Sequence, residues 1–280
     1  YRTVLKQQLA AGARSFAAAR QAAVQALCPG SDIAALLDKP NNNLAVEYCK
    51  AIIEQGVEMQ PIALPRQGAD HGQALTESSH AAFASASALR ALWAKGGAAA
   101  LAPYVPEKAL KLYKQAEYDG KYTDFAVMGH CELALLRAAC AEKAPFAAVR
   151  GVSEGLEHRL ENAVRETASL PTLLDALTTV RYPRARMRRL AMDAALGYTA
   201  QTPALPPYLH LLGARKEALS LPGETALPLS HSLARLAREN ETCAQMAAAQ
   251  SRASDLGALC RAKPEPMGGI YRQKIIFLTN

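Results

Sequence analysis

The stretch Lys39-Pro40-Asn41-Asn42-Asn43-Leu44-Ala45-Val46-Glu47-Tyr48 decides how this chain is read. A proline, three side-chain amides and then an apolar-periodic segment compose a helix start. Leu44, Tyr48, Ala51 and Ile52 fall at i, i+4, i+7 and i+8, one face of a helix, with Asn42 or Asn43 as its N-cap and Gly56 as its stop. Amide donors left over from capping can meet a base edge or a ribose. Just beyond, Val57–Leu64 alternates loosely and carries Pro61, which predicts a short strand near a sheet edge. Pro65-Arg66-Gln67-Gly68 follows, and an arginine leaving the carboxyl end of a strand can fork onto a phosphate or a carboxylate. Ser85-Ala86-Ser87-Ala88-Leu89-Arg90 then predicts a helix capped by Ser85, running to Lys95 and stopped by Gly96-Gly97. Its free N–H groups, two hydroxyls and an arginine one turn along are what a phosphate needs. Each segment also has a plain reading: helix capping, a solvated loop arginine, an ordinary capped surface helix.

The rest of the composition agrees with a helical protein. Half of the 280 residues are apolar, alanine carries much of that share, and aromatics are only 6%. Such a chain suits packed helices better than a β-sandwich. The net charge of +7 favours an anionic partner, nucleic acid first and an acidic membrane surface second. Cysteines stand at 28, 49, 131, 140, 243 and 260, with no Cys-x-x-Cys pair and no histidine cluster beside them. That pattern argues against zinc and against a disulfide framework, and points to free thiols in a reducing cytoplasm. The apolar runs are too short and too interrupted to span a membrane.

Helices are predicted over 2–27 with an interruption at Gly12, then over 32–38, 107–117, 124–141, 153–168, 171–180, 184–196 and 229–250. The tail 270–278 reads as β-like, and no other strand is expected after 64. A boundary near 97–106 divides the chain into residues 1–100 and 101–280. Arg181, Arg184, Arg186, Arg188 and Arg189 put five arginines into nine residues with no acid among them. On a helix after Pro183, Arg184 and Arg188 share a face while Met187, Leu190, Ala191 and Ala194 pack inward. That face can track a phosphate backbone, or it is simply a solvated basic surface. Glu154, Glu157 and His158 lack metal-ligand spacing and read as part of a structural helix.

Taken in order, these segments resemble the bacterial tRNA(Met) cytidine acetate ligase family. The resemblance rests on Lys39-Pro40-Asn41-Asn42-x-Leu44-x-x-Glu47-Tyr48, the arginine after a strand, and Phe83-Ala84-Ser85-Ala86-x-x-x-Arg90. It continues through Ser153-Glu154-Gly155-Leu156-Glu157-His158-Arg159-Leu160, Arg181-Tyr182-Pro183-x-x-x-Met187-Arg188-Arg189 and Pro207-Tyr208-Leu209-His210-Leu211-Leu212-Gly213, and covers the chain from Ala11 onward. It implies an α/β fold followed by mostly α: the C-terminal part of a Rossmann-like nucleotidyltransferase domain, then a helical tRNA-binding domain. The implied activity joins acetate to ATP as acetyl-adenylate and acetylates N4 of the wobble cytidine of elongator tRNA(Met), with Mg²⁺ alongside ATP. By the same resemblance Asn41 and Asn42 contact ATP, Arg66 and Gln67 line its site, and Ser85, Ser87 and Arg90 hold its phosphates. The five arginines from Arg181 to Arg189 are then the RNA-binding set.

The chain also departs from that family. The His-x-Gly-His turn is not in this sequence, Gly129-His130 being a dipeptide within a predicted helix, and Asn43 and Ala45 replace an aliphatic residue and a glycine. The chain opens on Tyr1 rather than Met, so the catalytic turn is expected before residue 1. The 280 residues alone are expected not to catalyse adenylation, and to bind ATP weakly or not at all. Two other classes stay open: a non-catalytic tRNA-binding remnant, and a nucleotidyltransferase acting on a small molecule.

Overall fold

A computed structural model describes residues 1–13, 16–37, 39–65, 84–218 and 225–278, apart from the Pro40 side chain. The chain forms two compact units, Tyr1–Gln67 with Thr179–Pro183, and Gly68–Thr178 with Arg184–Asn280.

Among the described residues the first unit holds four helices: α1 (Arg2–Ala10), α2 (Phe16–Leu27), α3 (Ile33–Leu36) and α4 (Pro40–Gln55). Gly12 breaks the first helical stretch as expected, at φ 84°. Ala19 and Ala23 on α2, with Ala34 and Leu37, are its buried residues. The start of α4 departs from the sequence reading. Lys39 is the N-cap and Pro40 occupies the first helical position, so the asparagines lie inside the first turn. Asn43 does not cap. Its Nδ2 donates to Leu37 O at 2.7 Å and ties α4 to the end of α3. Gly56 does end the helix, left-handed at φ 62°. The expected apolar face of α4 is not a core face, since Leu44 and Tyr48 are exposed. Val57–Leu64 has no regular secondary structure and joins no ladder among the described residues, and Met59 N–H turns back onto Val57 O at 3.0 Å, so the predicted strand is not formed. A period-2 pattern makes a strand only where a second backbone pairs with it, and Ile62 and Leu64 lie open to solvent.

The second unit is a helical assembly. It contains α5 (Ala86–Gly96), a 3₁₀ turn (Ala98–Leu101), α6 (Glu107–Asp119), α7 (Phe125–Ala139), α8 (Leu156–Glu166), α9 (Leu170–Leu177), α10 (Arg184–Ala195), α11 (Leu233–Leu236), α12 (Glu241–Leu259) and α13 (Gly269–Arg272). The start of α5 is as read from sequence: Ser85 Oγ accepts from Ala88 N–H at 3.2 Å. Leu156, Leu160, Ala163 and Val164 form the buried stripe of α8, at i, i+4, i+7 and i+8. They join Leu133 and Leu136 of α7, Leu173 and Leu177 of α9, and Met187 and Leu190 of α10 among the buried residues. Each fully buried Leu or Met there stabilises the unit by about 1.5–3 kcal/mol.

The predicted helix 229–250 resolves into three pieces: strand Leu229–Ser230, the short α11 and then α12. Ser232 and Asn240 each cap a new start, Asn240 Oδ1 accepting from Cys243 N–H at 2.9 Å. Among the described residues the unit also has four short strands: β1 (Leu209–His210), β2 (Gly213–Arg215), β3 (Leu229–Ser230) and β4 (Ile276–Leu278). β1 pairs with β3 and β2 with β4, both parallel. The β-like tail is therefore half right, because 269–272 is helical and only the last three residues pair.

Candidate functional site

Helices α7, α9 and α10 pack on one another and, with Arg90 of α5, surround a cleft of about 1200 Å³. Local sequence explains how each wall is placed. Asp124 caps α7, its carboxylate accepting from Ala126 N–H at 2.9 Å and Val127 N–H at 3.1 Å. Gly129 lets α9 close in, because a Cβ there would stand 3.3 Å from Leu170 Cβ. Ser169 starts α9 by accepting from Thr172 N–H at 3.3 Å. Met187, Leu190, Ala191 and Ala194 of α10 are all buried, as the spacing predicts, which turns Arg184 and Arg188 toward the cleft.

The lining is strongly basic. Arg90, Arg184, Arg188 and Arg189 all border the cleft, with His130 and Ser169 between them. Arg184 pairs with Asp175. Among the described residues no hydrogen bond or close ion pair engages Arg90, Arg188 or Arg189. Met128, Leu174 and Met192 supply an apolar wall. One acid lines the cleft, and it is out of character: Glu132 is 0% exposed, and neither carboxylate oxygen has a hydrogen-bond partner among the described residues. Burial pushes its carboxyl up to about 7, against the opposing pull of the Arg188 charge. Near neutral pH this group is therefore divided between acid and anion.

The described residues among those predicted from sequence are shared between the two units. Asn41 is exposed and Asn42 half-buried in the first turn of α4, within the first unit. Arg66 and Gln67 lie outside the described residues. Ser85 is buried and its hydroxyl is engaged locally, 3.0 Å from Ser87 Oγ. Of the Ser85, Ser87 and Arg90 set, Arg90 alone lines the cleft, and it does so beside the arginines of α10. Two groups that the sequence assigns to different ligands thus share one cavity. The five arginines do not share one face. Arg181 lies in the first unit with its guanidinium 5.7 Å from the Tyr182 ring, and Arg186 reaches Gly151 O at 3.4 Å. Glu157 and His158 meet each other at 3.8 Å on the surface of α8, whereas Glu154, expected on the same helix, precedes it at φ 56°. Among the described residues no three His, Cys, Asp or Glu are grouped to hold a metal. No helix among them is long and apolar enough to cross a membrane.

Glu132 was missed, although its signal is in the sequence. Gly129, Glu132, Leu133 and Leu136 fall at i, i+3, i+4 and i+7, the buried stripe of α7, so a carboxylate occupies an apolar position.

Comparison with known proteins completes the picture. Residues 1–267 match the family model described as HIGH Nucleotidyl Transferase. The tRNA(Met) cytidine acetate ligase of Listeria monocytogenes EGD-e is 30% identical over 186 residues, 65% of this chain and 45% of that protein. The Thermoanaerobacter sp. X514 protein of the same name is 28% identical over 76% of this chain and 52% of its own length. The chain thus spans about half the length of the curated relatives it matches. Among solved structures it shares its fold with Thermotoga maritima TmcAL: the apo form gives a TM-score of 0.83 at 21% identity, over 100% of this chain and 71% of that one. A second form of that protein, with alpha-thio ATP bound, gives 0.82. With the family model matched over nearly its whole length, this chain belongs to the HIGH nucleotidyl transferase family.

Proposed function

We propose that this chain forms part of an ATP-dependent ligase of the tRNA(Met) cytidine acetate ligase type, and that its second unit holds the tRNA. The observation that carries the RNA part is the cleft in which Arg184, Arg188 and Arg189 stand with Arg90. Guanidinium groups on one wall bind phosphate oxygens in pairs and make binding dependent on salt. The names of the relatives supply the reaction class, and the TmcAL form with alpha-thio ATP supports ATP as the co-substrate.

In this reading an acetate oxygen attacks the α-phosphorus of ATP and pyrophosphate leaves, giving acetyl-adenylate. The N4 amine of the wobble cytidine of elongator tRNA(Met) then attacks the acetyl carbon, AMP leaves, and the amine loses a proton. Donor groups around the leaving pyrophosphate lower the first barrier, because negative charge grows there. Asn41 and Asn42, Arg66 and Gln67, and Ser85 and Ser87 are proposed for the nucleotide side, with Arg90 between the two substrates. Mg²⁺ would accompany ATP and neutralise charge on its phosphate oxygens.

The full product of the gene, given ATP, acetate and tRNA(Met), is expected to release pyrophosphate and leave N4-acetylcytidine at the wobble position. Pyrophosphate release with an acetylated small molecule and unmodified tRNA would move the protein to a different acceptor class.

A further inference from the structure

We infer that Phe125, at the start of α7, is a stacking platform for a base of single-stranded RNA whose phosphates meet the arginines of the cleft; the inference rests on the RNA reading proposed above. Phe125 continues the buried stripe of α7, standing four residues before Gly129, with Leu133 and Leu136 further along the same face. By that spacing it belongs in the core, yet it is 71% exposed and lines the cleft. The helix α9 closes on α7 at Gly129, against Leu170, and the turn before Gly129 opens on the cleft instead. Asp124 caps that turn through Ala126 and Val127 N–H, so its backbone is fixed before a ligand arrives.

An exposed aromatic residue by itself is ordinary. This ring differs in its company and in being bare. Trp93 packs on Tyr113 and Tyr122, Lys263 lies over Tyr118, and Arg150 lies over Tyr198. Among the described residues no ring and no cation lies on Phe125. Every base has a π face, so an open ring takes any of them. The arginines bordering the same cleft supply what a strand's phosphates need, and they favour nucleic acid over an apolar peptide as the occupant. A duplex keeps its bases stacked on one another, which leaves single-stranded RNA. Phe125 then adds affinity without adding charge. Losing the ring weakens binding and leaves its salt dependence unchanged, whereas losing an arginine alters both.

The test titrates three ligands into wild type, Phe125→Leu and Phe125→Trp: an oligocytidylate of about eight nucleotides, an oligomer of the same length that lacks every base, and 5′-CMP. Phe125→Leu is expected to bind the oligocytidylate about tenfold more weakly with an unchanged salt slope, and Phe125→Trp at least as tightly as wild type. All three proteins are expected to bind the abasic oligomer alike, and 5′-CMP far more weakly than the oligocytidylate. A loss in Phe125→Leu that is equal for both oligomers, or that Phe125→Trp shares, marks packing rather than stacking and overturns the inference. A response to Phe125 with 5′-CMP and none with the oligocytidylate overturns single-stranded RNA as the occupant. Oligocytidylate binding that all three proteins share equally overturns the inference and leaves the arginine reading intact. No oligocytidylate binding by the wild type overturns both.

Discussion

Glu132 on α7 and Arg188 on α10 line the same cleft, and the Arg188 charge opposes the upward push that burial gives the Glu132 carboxyl. The balance favours burial. An acid whose proton is held more tightly in the folded chain than in the unfolded one costs stability wherever the unfolded chain would be ionised. In the ligand-free protein, stability is therefore expected to fall as pH rises from about 4.5 to about 7 and to stay low above that. The loss is on the order of 3 kcal/mol at pH 8. Urea denaturation of wild type and Glu132→Gln at about pH 5 and pH 8 checks this. The two proteins should be close in acid, and the variant more stable in base.

Arg188→Gln gives a matching expectation with opposite sign. Removing the charge that favours the anion should raise the Glu132 carboxyl further, so its titration, followed by carbon-13 NMR of labelled Glu, moves to higher pH than in wild type. An unmoved titration would show that the two groups do not interact.

Gly97 is placed by two constraints at once. Its φ of +65° is in the left-handed region, and a Cβ there would collide with the Glu117 carboxylate, which accepts from Ala98 N–H through both oxygens at 3.1 Å. Gly97→Ala is expected to lower stability by roughly 1–3 kcal/mol, read from the urea midpoint with an unchanged slope. Gly257→Ala is the control, since nothing stands within 4 Å of its Cβ position and it lies inside α12.

On the nucleotide side, calorimetry of the 280-residue chain with ATP is expected to show weak binding or none. Ser85 already spends its hydroxyl on Ala88 N–H and on Ser87. Tight ATP binding by this chain alone would contradict that expectation.

Which of these features the sequence reveals follows from the range of the forces involved. The burial of Met187, Leu190, Ala191 and Ala194 is periodic and local, and the structure has all four inside. Ser85, Gly56 and Gly97 are likewise legible, because caps and left-handed stops depend on neighbours within one turn. The asparagine run was misplaced by a turn because Pro40 starts α4 earlier and Asn43 finds Leu37 O instead. Strands of two and three residues carry too little pattern to be seen, and β2 finds its partner in β4 more than sixty residues later. Glu132 shows the same limit. Its position on the stripe is written in the sequence, but its missing partner is a property of three packed helices.

The central claim is that the arginines of α10 hold tRNA phosphates. Binding of a tRNA(Met) transcript by this chain, measured by filter retention over a series of salt concentrations, tests it most directly when wild type is set beside the variant carrying Arg184→Gln, Arg188→Gln and Arg189→Gln. The account predicts a loss of about tenfold or more in affinity and a salt slope shallower by about 2 to 3 in the variant, one contact for each guanidinium removed. Equal affinity and an equal slope in the two proteins would contradict it.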